Sequence, residues 1–249
     1  MRGLRVLRAS VVDSGLKVVL FDIDGTLLTM GGASKAAFIR GLSQAMGKDA
    51  IADGYSFVGK TDPQIAREML RLNRFEGDYE RAIDETIRNY LELIPAELPK
   101  HPKGKTHPGI PALLDALMAR TDVRVALLTG NVIGGARLKL GTFGLTDYFD
   151  YALSAFGSDD ADRYRLPALA LEKARSLLGT GISGADLVIV GDSEHDVLCG
   201  KAIGARSVGV ATGWVSSDVL RSHGPDALFA DFSDTAAAVA AIAGAVAAS

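Results

Sequence analysis

KVVLFDIDGTLL, residues 17–28, decides the reading of this 249-residue chain. Val18, Val19, Leu20 and Phe21 form a short, partly β-branched apolar run, the pattern of a strand buried on both faces. The run stops at Asp22-Ile23-Asp24-Gly25-Thr26. Two carboxylates one residue apart, directly after a buried strand, are costly unless something uses them. Period-two alternation sends both side chains the same way, and Gly25 permits a turn that a bulkier residue would resist. The strand ends of open parallel sheets are where such folds take ligands. The plainer alternative is an acidic turn that only terminates the strand.

The chain downstream supports a parallel sheet. Residues 123–128, 151–156, 187–190 and 207–211 are apolar, strand-like runs. Between them, Ile110, Leu113, Leu114, Leu117 and Met118 form a helical stripe, as do Leu166, Leu169, Ala170, Lys173, Ala174 and Leu177. Residues 133–142 and 195–204 also read as helices, and Asp234 is placed to cap a terminal Ala-rich helix carrying Val239, Ile242 and Val246. Alternating strands and helices imply an α/β fold with a doubly wound parallel sheet.

Residues 30–105 break the alternation. Ile65, Met69 and Leu72 share one helical face, Ile83, Ile87, Tyr90, Leu91 and Ile94 share another, and no buried strand is evident between 33 and 100. Residues 95–109 hold four prolines and three lysines, a linker composition. The organisation expected is therefore an extension over 1–16, a core built from 17–29 and 106–249, and a helical insert over 30–105.

Composition narrows the function. A net charge of −3 gives no field favouring nucleic acid or an anionic membrane. No apolar run approaches the roughly 20 residues that span a bilayer. One cysteine, Cys199, forbids an internal disulfide and suits a reducing, cytoplasmic setting; it reads as small core filling. Gly-rich pieces such as GNVIGGA are too weak to propose a dinucleotide site.

Three strand ends carry polar groups: Asp22 with Asp24, Thr129-Gly130-Asn131, and Asp192-Ser193 with Asp196. Two carboxylates about 4 Å apart repel by roughly 4 kcal/mol at an effective dielectric of about 20. If these acids converge, the fold requires a bound cation or protonated acids. Hard oxygen ligands without a His/Cys cluster favour Mg²⁺ over zinc, and His195 reads as a supporting residue, not a ligand.

FDIDGTLL resembles the first signature of the haloacid dehalogenase superfamily of phosphohydrolases, LLTG the second and VIVGDSEHDV the fourth. The resemblance implies a sheet core under a helical cap and hydrolysis of a small phosphorylated metabolite. In that scheme Asp22 attacks phosphorus and Asp24 protonates the leaving alkoxide, then activates water. The Asp22 carboxylate, the Asp24 backbone carbonyl and Asp192 hold Mg²⁺, with Ser193 and Asp196 in support. Thr129, Gly130 and Asn131 bind phosphate. Asp24 argues against a dehalogenase. A sugar-phosphate mutase using the same aspartates and a non-catalytic phosphate-binding protein are the alternatives.

One part departs from the family pattern. The basic residue expected before a proline-containing turn is not a Lys-Pro here; the segment reads FGSDDADRYRLPALALEKA, residues 156–174. Arg163, Arg165 and Lys173 are the candidates, and Arg163 is favoured because it precedes the helix. Within the insert, FVGKTDPQI, residues 57–65, is similar to a cap loop of phosphoglycolate-phosphatase-like members. Lys60 there is a candidate contact for an anionic substrate, while Thr61 through Gln64 also reads as a helix start. Phosphoglycolate is the nearest substrate the resemblance suggests.

Overall fold

The computed structural model describes residues 15–244. Most of the expected 1–16 extension, together with Val246, lies outside them. Six strands pair in parallel in the spatial order Ala155–Phe156 (β5), Val123–Thr129 (β4), Lys17–Phe21 (β1), Leu187–Gly191 (β6), Arg206–Val210 (β7) and Ala227–Phe229 (β8). β1 sits inside the sheet, with Val19 opposite Val125 on one neighbour and Val188 on the other.

The alternation of β1 sorts the core into two layers. Val19 and Phe21 face a cluster with Leu113 and Leu117 of α4 (Ile110–Met118) and Ile242 of α9 (Thr235–Ala243). Val18 and Leu20 face the opposite cluster, with Ala170 and Ala174 of α6 (Leu166–Leu178) and Cys199 of α7 (Glu194–Lys201). Helices therefore cover both faces, and the sheet is doubly wound. Cys199 is fully buried core filling, as expected. α5 (Ile133–Thr142) follows β4, and α8 (Ser217–Ser222) precedes β8.

A two-stranded antiparallel ribbon pairs Leu28–Thr29 (β2) with Lys105–Thr106 (β3). The chain leaves the sheet through one strand and returns through the other. Between them lie helices and no strand: α1 (Ala33–Met46), α2 (Asp62–Leu72), α3 (Tyr79–Glu97) and a short 3-10 turn over Leu98–Lys100. Thr61 caps α2, its side chain accepting the Gln64 N–H at 3.2 Å, and Asp78 caps α3, accepting from Arg81. α1 and α3 approach closely because Gly41 has no Cβ; one would stand 2.8 Å from the Tyr90 nitrogen.

Several expectations are corrected. α3 continues through Pro95 to Glu97, although that stretch reads as linker. The proline costs one backbone bond near the helix end, while burial of Tyr90 and Ile94 holds the helix across it. Leu72, Met118 and Leu177 keep the apolar spacing but stand about half exposed at or near the ends of their helices. Only Ala155–Phe156 of the run 151–156 pairs as strand, since residues 151–153 form a turn. β8, three residues at the sheet edge, was too short for periodicity to reveal.

Candidate active site

The carboxyl ends of β1, β4 and β6 meet beneath the helical segment. Asp22 directly follows β1 and is buried; its N–H donates to the Val190 carbonyl at 2.9 Å. Thr26 donates its hydroxyl to Asp192 Oδ1 at 2.9 Å. Glycines shape the slot for Asp192. A Cβ on Gly25 would lie 2.4 Å from Asp192 Oδ2, and one on Gly213 would lie 1.7 Å from the same oxygen. Gly25 also has φ +91°, which L side chains rarely adopt. The turn after β1 thus needs glycine for both conformation and space.

Oxygens of Asp22, Asp192 and Asp196 all lie within 4.8 Å of one another. Asp196 is already committed. Its Oδ2 accepts the Ser193 N–H at 3.0 Å and hydroxyl at 2.7 Å, and its Oδ1 accepts from Arg163 Nη2. It closes the capping box of α7 and anchors the arginine. Asp22 and Asp192 are the carboxylates left with coordinating capacity. Burial raises the Asp22 pKa to about 6, with Arg163 opposing and Asp196 and Asp24 adding to the rise. Burial, reinforced by Asp196 and Asp22, also raises Asp192 well above the usual carboxylate range. The cluster holds more negative charge than one arginine offsets. An all-oxygen, anionic, buried donor set of this kind fits a hard divalent cation.

Of Arg163, Arg165 and Lys173, Arg163 is the one that reaches the acid cluster. It is buried, and Nη2 lies 3.3 Å from Asp22 Oδ2 while bonding Asp196. Asp162 caps its short turn by accepting the Tyr164 N–H at 3.0 Å. Arg165 points away to Asp160, and Lys173 lies along the core edge, donating to the Ser154 carbonyl and Asp159. His195 is outside the acid cluster; its Nδ1 lies 2.8 Å from the Tyr164 hydroxyl and its ring fills the space above Gly59.

Thr129 is fully buried at the end of β4. Its oxygen accepts from the Asn131 N–H at 3.3 Å and Nδ2 at 2.8 Å, which leaves the hydroxyl proton to donate elsewhere. The Asn131 side chain is otherwise engaged: Nδ2 donates to Asp24 Oδ2 at 2.8 Å, and Oδ1 accepts from Lys139 Nζ at 2.5 Å. The side chain thus serves Asp24, and the phosphate contact expected at Asn131 is one for its backbone N–H. Lys60 lines the cavity but pairs with Glu68 at 2.6 Å and lies 4.3 Å over the Tyr55 ring.

Sequence reasoning missed Lys139 and Asp62. Lys139, on α5, is buried and donates to Asp24 Oδ2 at 2.6 Å. Burial works against its charge, but Asp24, Tyr90 and Asp62 outweigh that and leave its pKa raised. A signal existed: Ala136, Lys139 and Leu140 share the buried face of α5. Asp62 accepts the Val132 N–H at 2.8 Å, and burial raises its pKa to about 6 against the pull of Lys139. From sequence its position between Thr61 and Pro63 signals only a helix start.

A cavity of about 690 Å³ opens over these groups. Asp22, Asp24, Thr129, Arg163 and Asp192 line it from the sheet, Phe38, Tyr55, Phe57 and Lys60 from the helical segment, and Trp214 from the loop after β7.

The family described as haloacid dehalogenase-like hydrolase matches residues 16–204. A phosphoglycolate phosphatase of Neisseria meningitidis is 30% identical over 211 residues, 82% of this chain and 84% of that one. The pyrophosphatase PpaX of Halalkalibacterium halodurans is 27% identical, over 85% and 91% of the two chains. CbbY from Rhodobacter sphaeroides, solved with phosphate, superposes with a TM-score of 0.66 at 20% identity, covering 88% of this chain and 96% of that one; this shows a shared fold.

Proposed function

The chain belongs to the haloacid dehalogenase-like hydrolases, and from that premise we propose that it is a Mg²⁺-dependent phosphomonoesterase working through an aspartyl-phosphate on Asp22. The observation that carries this is the convergence of Asp22, Asp192 and Asp196 within 4.8 Å at the end of β1, beside Thr129 and Arg163.

An Asp22 oxygen attacks phosphorus, the P–O bond to the leaving group breaks, and Asp24 gives its proton to the departing alkoxide. Water then loses a proton to Asp24 and attacks the same phosphorus. The P–O bond to Asp22 breaks, releasing phosphate and restoring both acids. Arg163, Thr129 and the N–H groups after it supply positive charge and donors for the phosphoryl oxygens, where positioning and electrostatics dominate such transfers. Asp22, Asp192 and the Asp24 carbonyl would hold Mg²⁺, which neutralises carboxylate and phosphoryl charge when bound.

The helices over 30–105 act as a cap that excludes water and selects the leaving group. Phosphoglycolate is the first substrate to test, given what the relatives are called. A larger leaving group is the second reading, because about 690 Å³ with an aromatic wall lies in the roughly 300–1,000 Å³ range of sites for drug-sized ligands. Sugar phosphates belong to that class.

Phosphate release from a panel of small phosphomonoesters, with and without Mg²⁺, tests the proposal. Turnover that needs Mg²⁺ supports it. Interconversion of sugar phosphates without net phosphate release would mark a mutase, and binding without turnover a non-catalytic protein.

A further inference from the structure

Asp24 holds its two carboxylate oxygens differently. Both Asn131 Nδ2, at 2.8 Å, and Lys139 Nζ, at 2.6 Å, donate to Oδ2. Among the described residues no hydrogen bond is recorded to Oδ1, and the Asp24 side chain is 43% exposed on the cavity wall. The pinned oxygen and the free one are thus set by two donors from the turn after β4 and from α5.

The lysine is itself held from several directions. Nζ donates to Asn131 Oδ1 at 2.5 Å, so Asn131 and Lys139 brace each other as well as Asp24. The Tyr90 ring of α3 and the Asp62 carboxylate of α2 both border this stretch of α5, 3.6 and 3.7 Å from where a Cβ on Gly135 would stand. Asp62, from α2, adds its charge nearby while gripping the Val132 N–H at 2.8 Å. Tyr90 and Asp62 belong to the helical segment, whereas Asp24, Asn131 and Lys139 belong to the sheet core. A buried lysine on α5 keeps its charge only with such partners, and here those partners tie it to the acid.

We propose that Lys139 is a positioning residue for catalysis: with Asn131 it fixes Asp24 Oδ2 so that Oδ1 faces the leaving group, and Asp62 and Tyr90 make that aim depend on the seated helical segment. The proposal rests on the reading of Asp24 as the acid of the first step. It gives this chain an anchor for the proton donor that short motifs do not encode.

The test compares two leaving groups. An alkyl phosphate needs its alkoxide protonated as the P–O bond breaks, whereas p-nitrophenolate leaves without that help. In Lys139→Met, the single-turnover rate of the first step is expected to fall at least about tenfold for an alkyl phosphate, against a general-acid contribution of about 10²–10⁴. The p-nitrophenol burst from p-nitrophenyl phosphate should stay within about twofold, and KM for both esters should hardly move. Asp62→Asn, which keeps the acceptor for Val132, should show the same leaving-group bias to a smaller degree. Should Lys139→Met fail to fold, judged by circular dichroism, Lys139→Gln is read by the same criterion. An equal loss for both esters, or no loss for either, overturns the proposal. If the phosphomonoesterase reading itself is wrong, the unmodified protein will give neither burst nor release, which separates the two failures.

Discussion

The Cβ that Gly130 lacks would stand 2.1 Å from the carbonyl oxygen of Lys60. The turn after β4 and the loop before α2 touch backbone to backbone there, and the Asp62 N–H donates to the Gly130 carbonyl at 2.8 Å. No flexible side chain can yield to relieve a methyl group at this point. Gly130→Ala should therefore push the loop off its seat. A stability loss of about 1–3 kcal/mol is expected from overpacking. Because that loop lines the cavity, kcat/KM should fall by about tenfold or more, a loss of at least about 1.4 kcal/mol of transition-state stabilisation. Thermal melts and phosphate-release kinetics read the two effects, and unchanged kinetics would mean the seat is irrelevant to turnover.

Asp22→Asn separates chemistry from folding. Asparagine keeps the size of the side chain but removes its charge and its nucleophilic carboxylate. Turnover should drop by at least about 10⁴-fold, the scale seen when a covalent nucleophile is removed. The melting temperature of the metal-free protein should hold or rise, because the substitution relieves repulsion from Asp196 and Asp24. Retained turnover would take Asp22 out of its role.

Metal affinity should depend on pH with a definite sign. In the metal-free protein the Asp22 pKa is raised from 3.8 to about 6, chiefly by burial. A raised acid means the folded state binds more protons than the unfolded chain in that interval, so this group lowers metal-free stability as pH rises from 3.8 to about 6. Mg²⁺ binds the ionised carboxylates and competes with those protons. Its affinity should weaken as pH drops below about 6, by up to about tenfold per pH unit for each proton displaced. Calorimetric titrations at pH 5 and pH 7.5 would check this, with proton release seen at the lower pH. Equal affinity at both would show that Asp22 is not a ligand.

Much of this was legible because strands buried on both faces advertise themselves. The apolar run 18–21 and the acids after it located the central strand and its functional end, and the doubly wound layering followed from the alternation downstream. What stayed hidden depended on contacts between distant segments. Asp62 looked like a helix-start residue because its neighbours Thr61 and Pro63 explain it locally; only folding places it under Val132. Lys139 sits among apolar residues with no motif around it, and its meaning comes from Asp24, distant in sequence. The continuation of α3 through Pro95 was likewise decided by the packing of Tyr90 and Ile94, which overrode local propensity.

Arg163 should behave differently from its basic neighbours. It is the cation in contact with both Asp22 and Asp196. Arg163→Met leaves two buried carboxylates facing each other, and removing one partner of such a group typically costs about 3–5 kcal/mol. Saturating Mg²⁺ should recover part of that loss by binding the exposed charge. Arg165→Met removes only a surface pair with Asp160 and should change stability by no more than about 0.5 kcal/mol. Denaturant unfolding of the two variants, with and without Mg²⁺, makes the comparison. Equal effects would show that the acid cluster does not rely on Arg163.

Trp214 offers a direct view of the cavity. It is the only tryptophan in the chain, stands 85% exposed, and follows Gly213, whose missing side chain makes room for Asp192. An indole at the mouth of a cavity this size would be covered by a ring-sized leaving group and left in water by a two-carbon one. In Asp22→Asn with Mg²⁺, where turnover is blocked, a hexose phosphate should therefore shift Trp214 emission to the blue while phosphoglycolate leaves it nearly unchanged. Trp214→Ala should abolish the signal and raise KM for the hexose phosphate several-fold, with kcat little altered, since loss of one aromatic contact costs about 0.5–1.5 kcal/mol. A shift of equal size with both esters would mean that the loop moves on phosphate binding alone, and the aromatic wall would then say nothing about the leaving group.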